Sequence, residues 1–443
     1  MKNFVFVLIL TIYTLSSCMF CTAVFAENKT STSDSQKADS DAKVKEEKEK
    51  PYSPHGKYLL SVDMGSDLVM YEKNADQSVE PSGFTKIVTA ITALELADDI
   101  SKTVAVENGI LEDFDYNNQN IGLKYGEIIS IADMIKAMLI YDAGDCAIAL
   151  AHSIGKSYDE FVEAMNETSK KAGAENSVFV HPAGFEAKGQ KTTLTDMYYI
   201  TKYALKNETF ADIVNTERIE IAPTNKYEQS RILFNTNQFI STYYSLDHYN
   251  ANVYGVKSYT ANADDCGVIA HYNDAKNNLL LLCAQSDTAN GNNYAYNDVE
   301  YMISHAKETY TQVTVVEKEK FMSEVSISNG KNTNRLLLVS EERITTMLPK
   351  EYDTQLLKVE TSTKEKVNAP IQKGDVIGKV TVYYDGKKCG ETNLLAYSDV
   401  EKSTAVFLKN VLLQILTSIY FKLGIVLLIL IFILRMIQIN RKK

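Results

Sequence analysis

The sequence predicts an α+β protein of several domains, in which a sheet packed with helices precedes a small all-β domain and a C-terminal transmembrane helix. Strand patterns at residues 57–73 and 253–284 lie on either side of a mainly helical region at 87–172, as in a sheet with helices on its faces. Short alternating strands with glycine and proline turns fill residues 310–398. The 443 residues, 45% of them apolar, are enough for two or three domains with a true core.

The N-terminal end carries segments that lie outside the predicted core. Residues 1–26 combine a basic start, an apolar run and small residues up to Ala26, which predicts a signal peptide cleaved after Ala26. Lipoprotein processing at Cys18 is the alternative. Residues 27–54 are rich in Ser, Asp, Lys and Glu and have almost no apolar side chains, so they predict a disordered polar tether.

The apolar run at residues 411–439 predicts a membrane anchor. A helix of about 20 residues spans a bilayer core of about 30 Å. Lys422 and Arg435 interrupt the run close enough to its ends to reach the interface, and residues 440–443 form a basic tail typical of the cytoplasmic side. We therefore expect a single-pass protein of the cell membrane whose bulk lies outside the cytoplasm.

Charge and composition exclude several kinds of partner. A formal net charge of -11 without a basic stripe in the body of the chain argues against nucleic acid. The histidines are scattered, and the four cysteines that follow the predicted signal peptide show no C-x-x-C spacing, so we expect no metal and no cofactor. Cys266 and Cys283 lie on neighbouring predicted strands and could pair, although buried free thiols are favoured. His181 is expected to be structural.

The segment Glu80-Pro81-Ser82-Gly83-Phe84-Thr85-Lys86 opens an apolar helical run at residues 87–96. A lysine one turn into a helix, with a serine three residues earlier, forms the S-x-x-K arrangement in which the amine activates the hydroxyl. Here the position three residues before Lys86 is Gly83, and the serine stands one place earlier, at Ser82. One residue turns an α-helix by about 100°, so Ser82 is expected to point elsewhere. We expect it to cap the helix by accepting an N–H from Phe84 or Thr85.

The order of motifs over residues 57–400 resembles the serine-type D-alanyl-D-alanine carboxypeptidases, the low-molecular-mass penicillin-binding proteins of peptidase family S11. Further matching pieces are Tyr71-Glu72-Lys73-Asn74-Ala75-Asp76, Gly122-Leu123-Lys124-Tyr125-Gly126-Glu127, His181-Pro182-Ala183-Gly184-Phe185, Asn235-Thr236-Asn237 and Gly255-Val256-Lys257. The resemblance implies a penicillin-binding (β-lactamase/transpeptidase-like) domain at 55–308, a β domain at 309–400 and a membrane anchor at 411–439.

The resemblance also implies which residues occupy the catalytic positions. Gly83 stands where the nucleophilic serine belongs, whereas Lys86, the general base, is kept. In the S-x-N motif, Asp142 stands at the proton-relaying serine and Gly144 at the substrate-binding asparagine. Because the nucleophile position has no hydroxyl, the acyl-enzyme route is expected to be closed.

The K-T-G motif of the family matches Lys257-Ser258-Tyr259, with Thr260 following it. The lysine and a hydroxyl are kept, but the glycine is replaced. That glycine lets substrate lie along the strand edge, so Tyr259 is expected to obstruct this contact. The resemblance thus implies Lys257 as a catalytic position, and Ser258, Tyr259 and Thr260, together with Gly144, as substrate-binding positions.

We expect a membrane-anchored family member that binds peptidoglycan or a cell-envelope protein but has lost hydrolysis. Two alternatives remain open: an active carboxypeptidase that uses Ser82 as a displaced nucleophile, and a scaffold whose β domain binds a cell-envelope partner. We further expect Asp142 to bridge Lys86 and Lys257 as an ion triad. An anion near two amines favours the charged form of all three groups, which makes Lys86 a poorer base.

Overall fold

The structure is a computed structural model that describes residues 52–112, 114–155, 157–289 and 292–440. The expected signal peptide, the Cys18 alternative, most of the polar tether and the end of the basic tail lie outside the described residues. The domain boundaries given above remain predictions.

The strands within the described residues, in chain order, are β1 (Tyr58–Asp63), β2 (Leu68–Lys73), β3 (Thr103–Ala105), β4 (Ile128–Ser130), β5 (Arg218–Ile221), β6 (Arg231–Phe234), β7 (Val253–Asn262), β8 (Asp265–Asn273), β9 (Asn278–Ser286), β10 (Thr288–Ala289), β11 (Asn292–Asn293), β12 (Tyr310–Val316), β13 (Phe321–Ser328), β14 (Arg335–Ser340), β15 (Ile344–Pro349), β16 (Leu357–Thr363), β17 (Lys366–Asn368), β18 (Val376–Tyr384) and β19 (Lys387–Ala396). The helices are α1 (Thr85–Leu96), α2 (Ile131–Ile140), α3 (Gly144–Ser153), α4 (Tyr158–Ala172), α5 (Leu194–Ala204), α6 (Glu208–Val214), α7 (Tyr294–Thr309), α8 (Thr404–Thr417) and α9 (Ile419–Asn440). A 3₁₀ turn at Ser82–Phe84 leads into α1.

The first part of the fold is built on a five-stranded antiparallel sheet in the order β2-β1-β9-β8-β7. Side chains of β9 alternate between two cores: Leu280 and Leu282 face the helical cluster, whereas Leu279 and Leu281 lie in the core that includes α7. Both faces of the sheet are therefore covered, as predicted from the strands at either end of the helical region. Strand β7 lies at the edge of this sheet.

Helix α1 lies at the centre of the helical cluster. Its residues from Thr85 to Ala93 are all buried, which fits a sequence that is apolar on nearly every side. The expectation of a mainly helical region at 87–172 is wrong for residues 97–130. There the chain forms turns and the short β3–β4 pair, because glycine, asparagine and aspartate supply turn geometry instead of helical periodicity.

A second, all-β part follows α7, as the sequence predicts. Six strands form a sheet in the order β16-β18-β19-β14-β13-β17, and β12 pairs with β15. This part has its own core, which includes Leu338, Val380 and Leu394. It contacts the first part where the Tyr310 hydroxyl donates a 3.1 Å hydrogen bond to the Met70 carbonyl.

Two helices end the described chain. Ser403 caps α8, its hydroxyl accepting a 3.3 Å hydrogen bond from the Val406 N–H. A break at Ser418 separates α8 from α9, so the apolar run at 411–439 is divided between two helices, and the second begins about where the sequence predicts a spanning helix. Residues Ile419–Gln438 form a 20-residue apolar helix with no buried positions, which is long and apolar enough to cross a membrane.

Candidate active site

The candidate site lies between the start of α1, the connection from α2 to α3, and the edge strand β7. Lys86 lies in the first turn of α1, Asp142 lies in the α2–α3 connection, and Lys257 lies on β7. Asp142 has φ +64°, a left-handed conformation that aspartate adopts more readily than most residues. The connection therefore turns sharply enough to aim the Asp142 carboxylate at both lysines.

One oxygen of Asp142 joins the two lysines. Asp142 Oδ1 lies 3.0 Å from Lys86 Nζ and 2.7 Å from Lys257 Nζ. The lysine side chains are 4% and 0% exposed and that of Asp142 is 17% exposed, so water screens this triad weakly. The predicted bridge is thus confirmed as geometry, whereas the catalytic roles of the three positions remain predictions.

Burial and neighbouring charges shift the pKa values of Asp142 and Lys257. Burial opposes charge on Asp142, but the ammonium groups of Lys257 and Lys86 outweigh it and hold the pKa of Asp142 below its ordinary value. For Lys257, burial lowers the pKa and Lys86 lowers it further, against the opposing effect of Asp142. The carboxylate favours the charged form of Lys257, as expected, but burial outweighs this effect, so the pKa of Lys257 is lowered on balance.

Tyr259 fills the space that a side chain at Gly83 would need. A Cβ added at Gly83 would lie 2.4 Å from Tyr259 Cβ and 3.0 Å from Tyr259 Cγ. The ring packs edge-on against Phe84, with centroids 4.8 Å apart, and reaches over Gly267, where a Cβ would lie 2.5 Å from Tyr259 Cε1. Tyr259 is only 4% exposed. The glycines at 83 and 267 and the tyrosine at 259 are therefore sterically complementary.

Ser82 does not cap α1, so that prediction is wrong. Helix α1 has no side-chain cap, because backbone carbonyls of the preceding 3₁₀ turn accept the Phe84 and Thr85 N–H groups. Ser82 has φ +45°, and its hydroxyl donates a 3.1 Å hydrogen bond to Asp265 Oδ2. The Tyr259 hydroxyl donates to the other oxygen, Asp265 Oδ1, at 2.8 Å. Asp265 is thus a site residue that the motifs did not reveal.

Phe185 occupies the space that a side chain at Gly144 would need. Gly144 begins α3, and a Cβ added there would lie 2.9 Å from Phe185 Cζ and 3.2 Å from Phe114 Cε2. An asparagine at 144 would therefore require Phe185 to move. Sequence reasoning quoted Phe185 only as part of a matching motif and did not place it in the site.

The remaining predicted residues line two adjoining cavities. The larger has a volume of about 830 Å³ and is lined by Ser82, Gly83 and Lys86, among others. The smaller, about 260 Å³, is lined by Ser258, whose hydroxyl lies 3.2 Å from that of Thr236. Residues that border both cavities are Gln119, Asp142, Tyr259 and Thr260. Because the two cavities share these four lining residues, we refer to them together as the groove.

Cysteines and histidines play no visible part in this groove. Cys146, Cys266, Cys283 and Cys389 are buried free thiols, so Cys266 and Cys283 do not pair. His181 Nδ1 accepts a 3.2 Å hydrogen bond from the Ala183 N–H, which fits a structural role. In the part of the chain that the structure describes, no group of three or more His, Cys, Asp or Glu is placed to hold a metal ion.

A buried lysine of a central helix lies beside a second lysine on an edge strand, next to a groove. Together with the following β part, this arrangement defines a penicillin-binding protein of the two-domain type. The chain belongs to the D-alanyl-D-alanine carboxypeptidase family, peptidase S11, whose family model matches residues 44–283. The model of the C-terminal domain of penicillin-binding protein 5 matches residues 310–402. The resemblance and the predicted fold class are thereby confirmed.

Similar proteins cover most of the chain. D-alanyl-D-alanine carboxypeptidase DacF of Bacillus subtilis is 26% identical over 80% of this chain and 87% of its own length. A peptidoglycan synthesis regulatory factor (PBP3) of Streptococcus pneumoniae aligns with a TM-score of 0.66 at 17% identity, over 79% of this chain and all of that one. Penicillin-binding protein 5 of Haemophilus influenzae aligns with a TM-score of 0.61 at 21% identity, over 80% of this chain and 99% of that one. These structures show a shared fold.

Proposed function

We propose that this protein is a membrane-anchored, extracytoplasmic member of the family that binds peptidoglycan through its groove but does not hydrolyse D-alanyl-D-alanine. The observation that carries the proposal is the contact at Gly83: the nucleophile position has no hydroxyl, and Tyr259 Cβ lies 2.4 Å from where a Cβ would stand. Acyl transfer needs an activated nucleophile at that point. The groove itself remains open for binding.

The two lysines support the same proposal. A general base must reach the proton it removes with a free lone pair. Asp142 Oδ1 lies within 3.0 Å of both amines, and Lys257 also donates to the Ser258 carbonyl. The polar groups that drive hydrolysis in a family of serine peptidases are here engaged with one another.

Two segments of the chain support the location that we propose for the protein. The apolar helix Ile419–Gln438 supports anchoring by a single C-terminal pass. The predicted signal peptide supports export of the groove to the side of the membrane where the cell wall lies. Peptidoglycan is the substrate of the family, and it is therefore the partner we propose for this groove.

Labelling with a fluorescent penicillin tests whether the protein has lost acyl transfer. We expect no covalent adduct with the native chain, and no D-alanine release from a D-alanyl-D-alanine peptide, under conditions in which the Bacillus subtilis relative DacF serves as a positive control. Ser82, next to Gly83, carries a hydroxyl that lines the groove and donates a hydrogen bond to Asp265. An adduct that forms with the native chain and disappears in Ser82→Ala would overturn the proposal and establish the displaced nucleophile.

Restoring the chemistry should take three changes at once. Gly83→Ser supplies the hydroxyl, Asp142→Ser frees the lysines, and Tyr259→Gly makes room for the new side chain. We expect the triple variant to label with penicillin and the Gly83→Ser single variant to remain unlabelled. The Gly83→Ser/Asp142→Ser double variant should also stay unlabelled, because Tyr259 still occupies the space. Equal labelling of the double and triple variants would contradict the steric argument.

A further inference from the structure

The described residues that line the groove carry no positive charge outside the ion triad. Among the described residues that line its two cavities, Lys86 is the only one with a cationic side chain, and Asp142 holds it. Lys257 lies behind the lining, fully buried, and is held by the same oxygen at 2.7 Å. A carboxylate brought into the groove would therefore find no uncommitted ammonium or guanidinium group to pair with.

The larger cavity instead carries an excess of carboxylates. Besides Asp142, which is paired with the two lysines, its lining includes Glu80, Asp115, Glu186 and Asp265. Burial raises the pKa of Glu80, and repulsion from Glu186 and Asp265 raises it further, so these groups already disfavour additional negative charge. Like charges brought together in a partly desolvated groove weaken binding strongly.

The smaller cavity is lined mainly by neutral polar groups. Apart from Asp142, its polar lining consists of amides and hydroxyls, including Gln119, Gln238, Asn293 and Thr236. Amides and hydroxyls both donate and accept, so they can pair with the N–H and C=O groups of a peptide. A pocket of this kind recognises a neutral peptide without needing an ionic partner.

We propose that the groove is selective for peptides whose carboxyl end is blocked in amide linkage, as in a cross-linked or amidated stem peptide, and that it discriminates against a free terminal carboxylate. A carboxypeptidase acts on a free terminus, so this preference is opposite to the one that the family's reaction requires. The inference rests on the proposed function, since it names the ligand class of that same groove.

Calorimetric titration of the full-length protein in detergent tests the inference. The probes are diacetyl-L-Lys-D-Ala-D-Ala as the free acid and the same peptide as its C-terminal amide. We expect the amide to bind at least about tenfold more tightly, a difference of about 1.4 kcal/mol. Equal or tighter binding of the free acid overturns the inference but leaves peptide binding, and with it the proposed function, intact.

Two variants identify the cause of the preference. Glu186→Gln removes an exposed carboxylate at the larger cavity and should improve binding of the free acid relative to the amide. Glu342→Gln, on the surface of the β part, serves as the matched control and should leave the ratio unchanged. An unchanged ratio in Glu186→Gln overturns the electrostatic cause.

If neither peptide binds, the inference is overturned; if purified sacculi also fail to bind, the proposed function is overturned as well.

Discussion

At the scale of single residues, two glycines in catalytic motifs are matched by two aromatic rings that occupy the space above them. Gly83 lies under Tyr259 and Gly144 lies under Phe185. A Cβ at Gly83 would meet the Cβ of Tyr259, an atom that no side-chain rotation can move away. The lost nucleophile and the lost K-T-G glycine are therefore linked, because Tyr259 leaves no room for a side chain at position 83.

The first prediction tests this linkage through stability. Gly83→Ala should destabilise the protein by about 1–3 kcal/mol, as expected for overpacking of a buried site. In a double-mutant cycle with Tyr259→Gly, the double variant should lose less unfolding free energy than the two single variants lose together. The difference, which is the coupling energy, should be about 0.5–3 kcal/mol. Urea unfolding followed by circular dichroism measures all four proteins.

Gly65→Ala is the control for the glycine change itself. A Cβ at Gly65 would meet only Asp63 Oδ2, at 3.4 Å, which is an ordinary contact. Its stability change should be small and should not depend on Tyr259. Strict additivity of Gly83→Ala and Tyr259→Gly would contradict the linkage.

The second prediction concerns the ion triad. Asp142→Asn leaves two buried ammonium groups without their anion and should cost about 3–5 kcal/mol at neutral pH. Because the pKa of Asp142 is lowered in the folded state, its stabilisation is present above the unfolded pKa of about 3.9 and is lost as pH falls through the folded value. The stability gap between the native protein and Asp142→Asn should therefore narrow below about pH 4.

Chemical unfolding between pH 7 and pH 3 measures that gap. Glu342→Gln is the matched control, because Glu342 pairs with Lys318 at 2.8 Å with both side chains exposed. Exposed pairs contribute little, so this variant should match the native protein throughout. A gap for Asp142→Asn that stays constant down to pH 3 would show that the Asp142 charge does not stabilise the fold.

The sequence predicted the triad because each of its members falls in a recognisable motif. It did not predict the contact of Tyr259 with Gly83 or the role of Asp265, because both depend on how β7 and β8 lie against the start of α1. The cap expected from Ser82 failed for a local reason: the chain enters α1 through a 3₁₀ turn with Ser82 at φ +45°, which the residue types do not reveal.

At the scale of elements, long periodic patterns were predictable and short irregular ones were not. The hairpin of β1 and β2 and the strands β7, β8 and β9 lie where alternation and apolar runs indicate them. The turns and short strands of residues 97–130 were missed. Turn-forming residues carry little information about the tertiary contacts that decide such segments.

The third prediction concerns the last helix. A chain truncated after Ser403 lacks α8 and α9 and should move from the membrane fraction to the soluble fraction. A chain truncated after residue 440 keeps the apolar segment Ile419–Gln438 and should remain in the membrane after a high-salt wash. Membrane fractionation with immunoblotting measures both. Full membrane retention of the shorter chain would place the anchor elsewhere.

At the scale of the whole molecule, the groove and the β part are alternative places for cell-wall binding. The groove lies in the part built on the five-stranded sheet, whereas the β part has a separate core and presents the edge strand β16. The scaffold alternative assigns binding to the β part, and our proposal assigns it to the groove. The two assignments predict opposite results for substitutions on exposed residues of each part.

The fourth prediction uses one exposed residue from each part, so that neither change disturbs a core. Thr260 borders both cavities, and Thr260→Trp should fill the groove and weaken binding to purified sacculi by about tenfold or more, because the peptide loses its contacts along β7. Val359, 42% exposed on β16, lies outside the groove, and Val359→Trp should leave binding unchanged. Co-sedimentation with sacculi measures both variants, and circular dichroism verifies their folding. The reverse pattern, with Val359→Trp impaired and Thr260→Trp intact, would make the β part the binding module and reduce the groove to a scaffold.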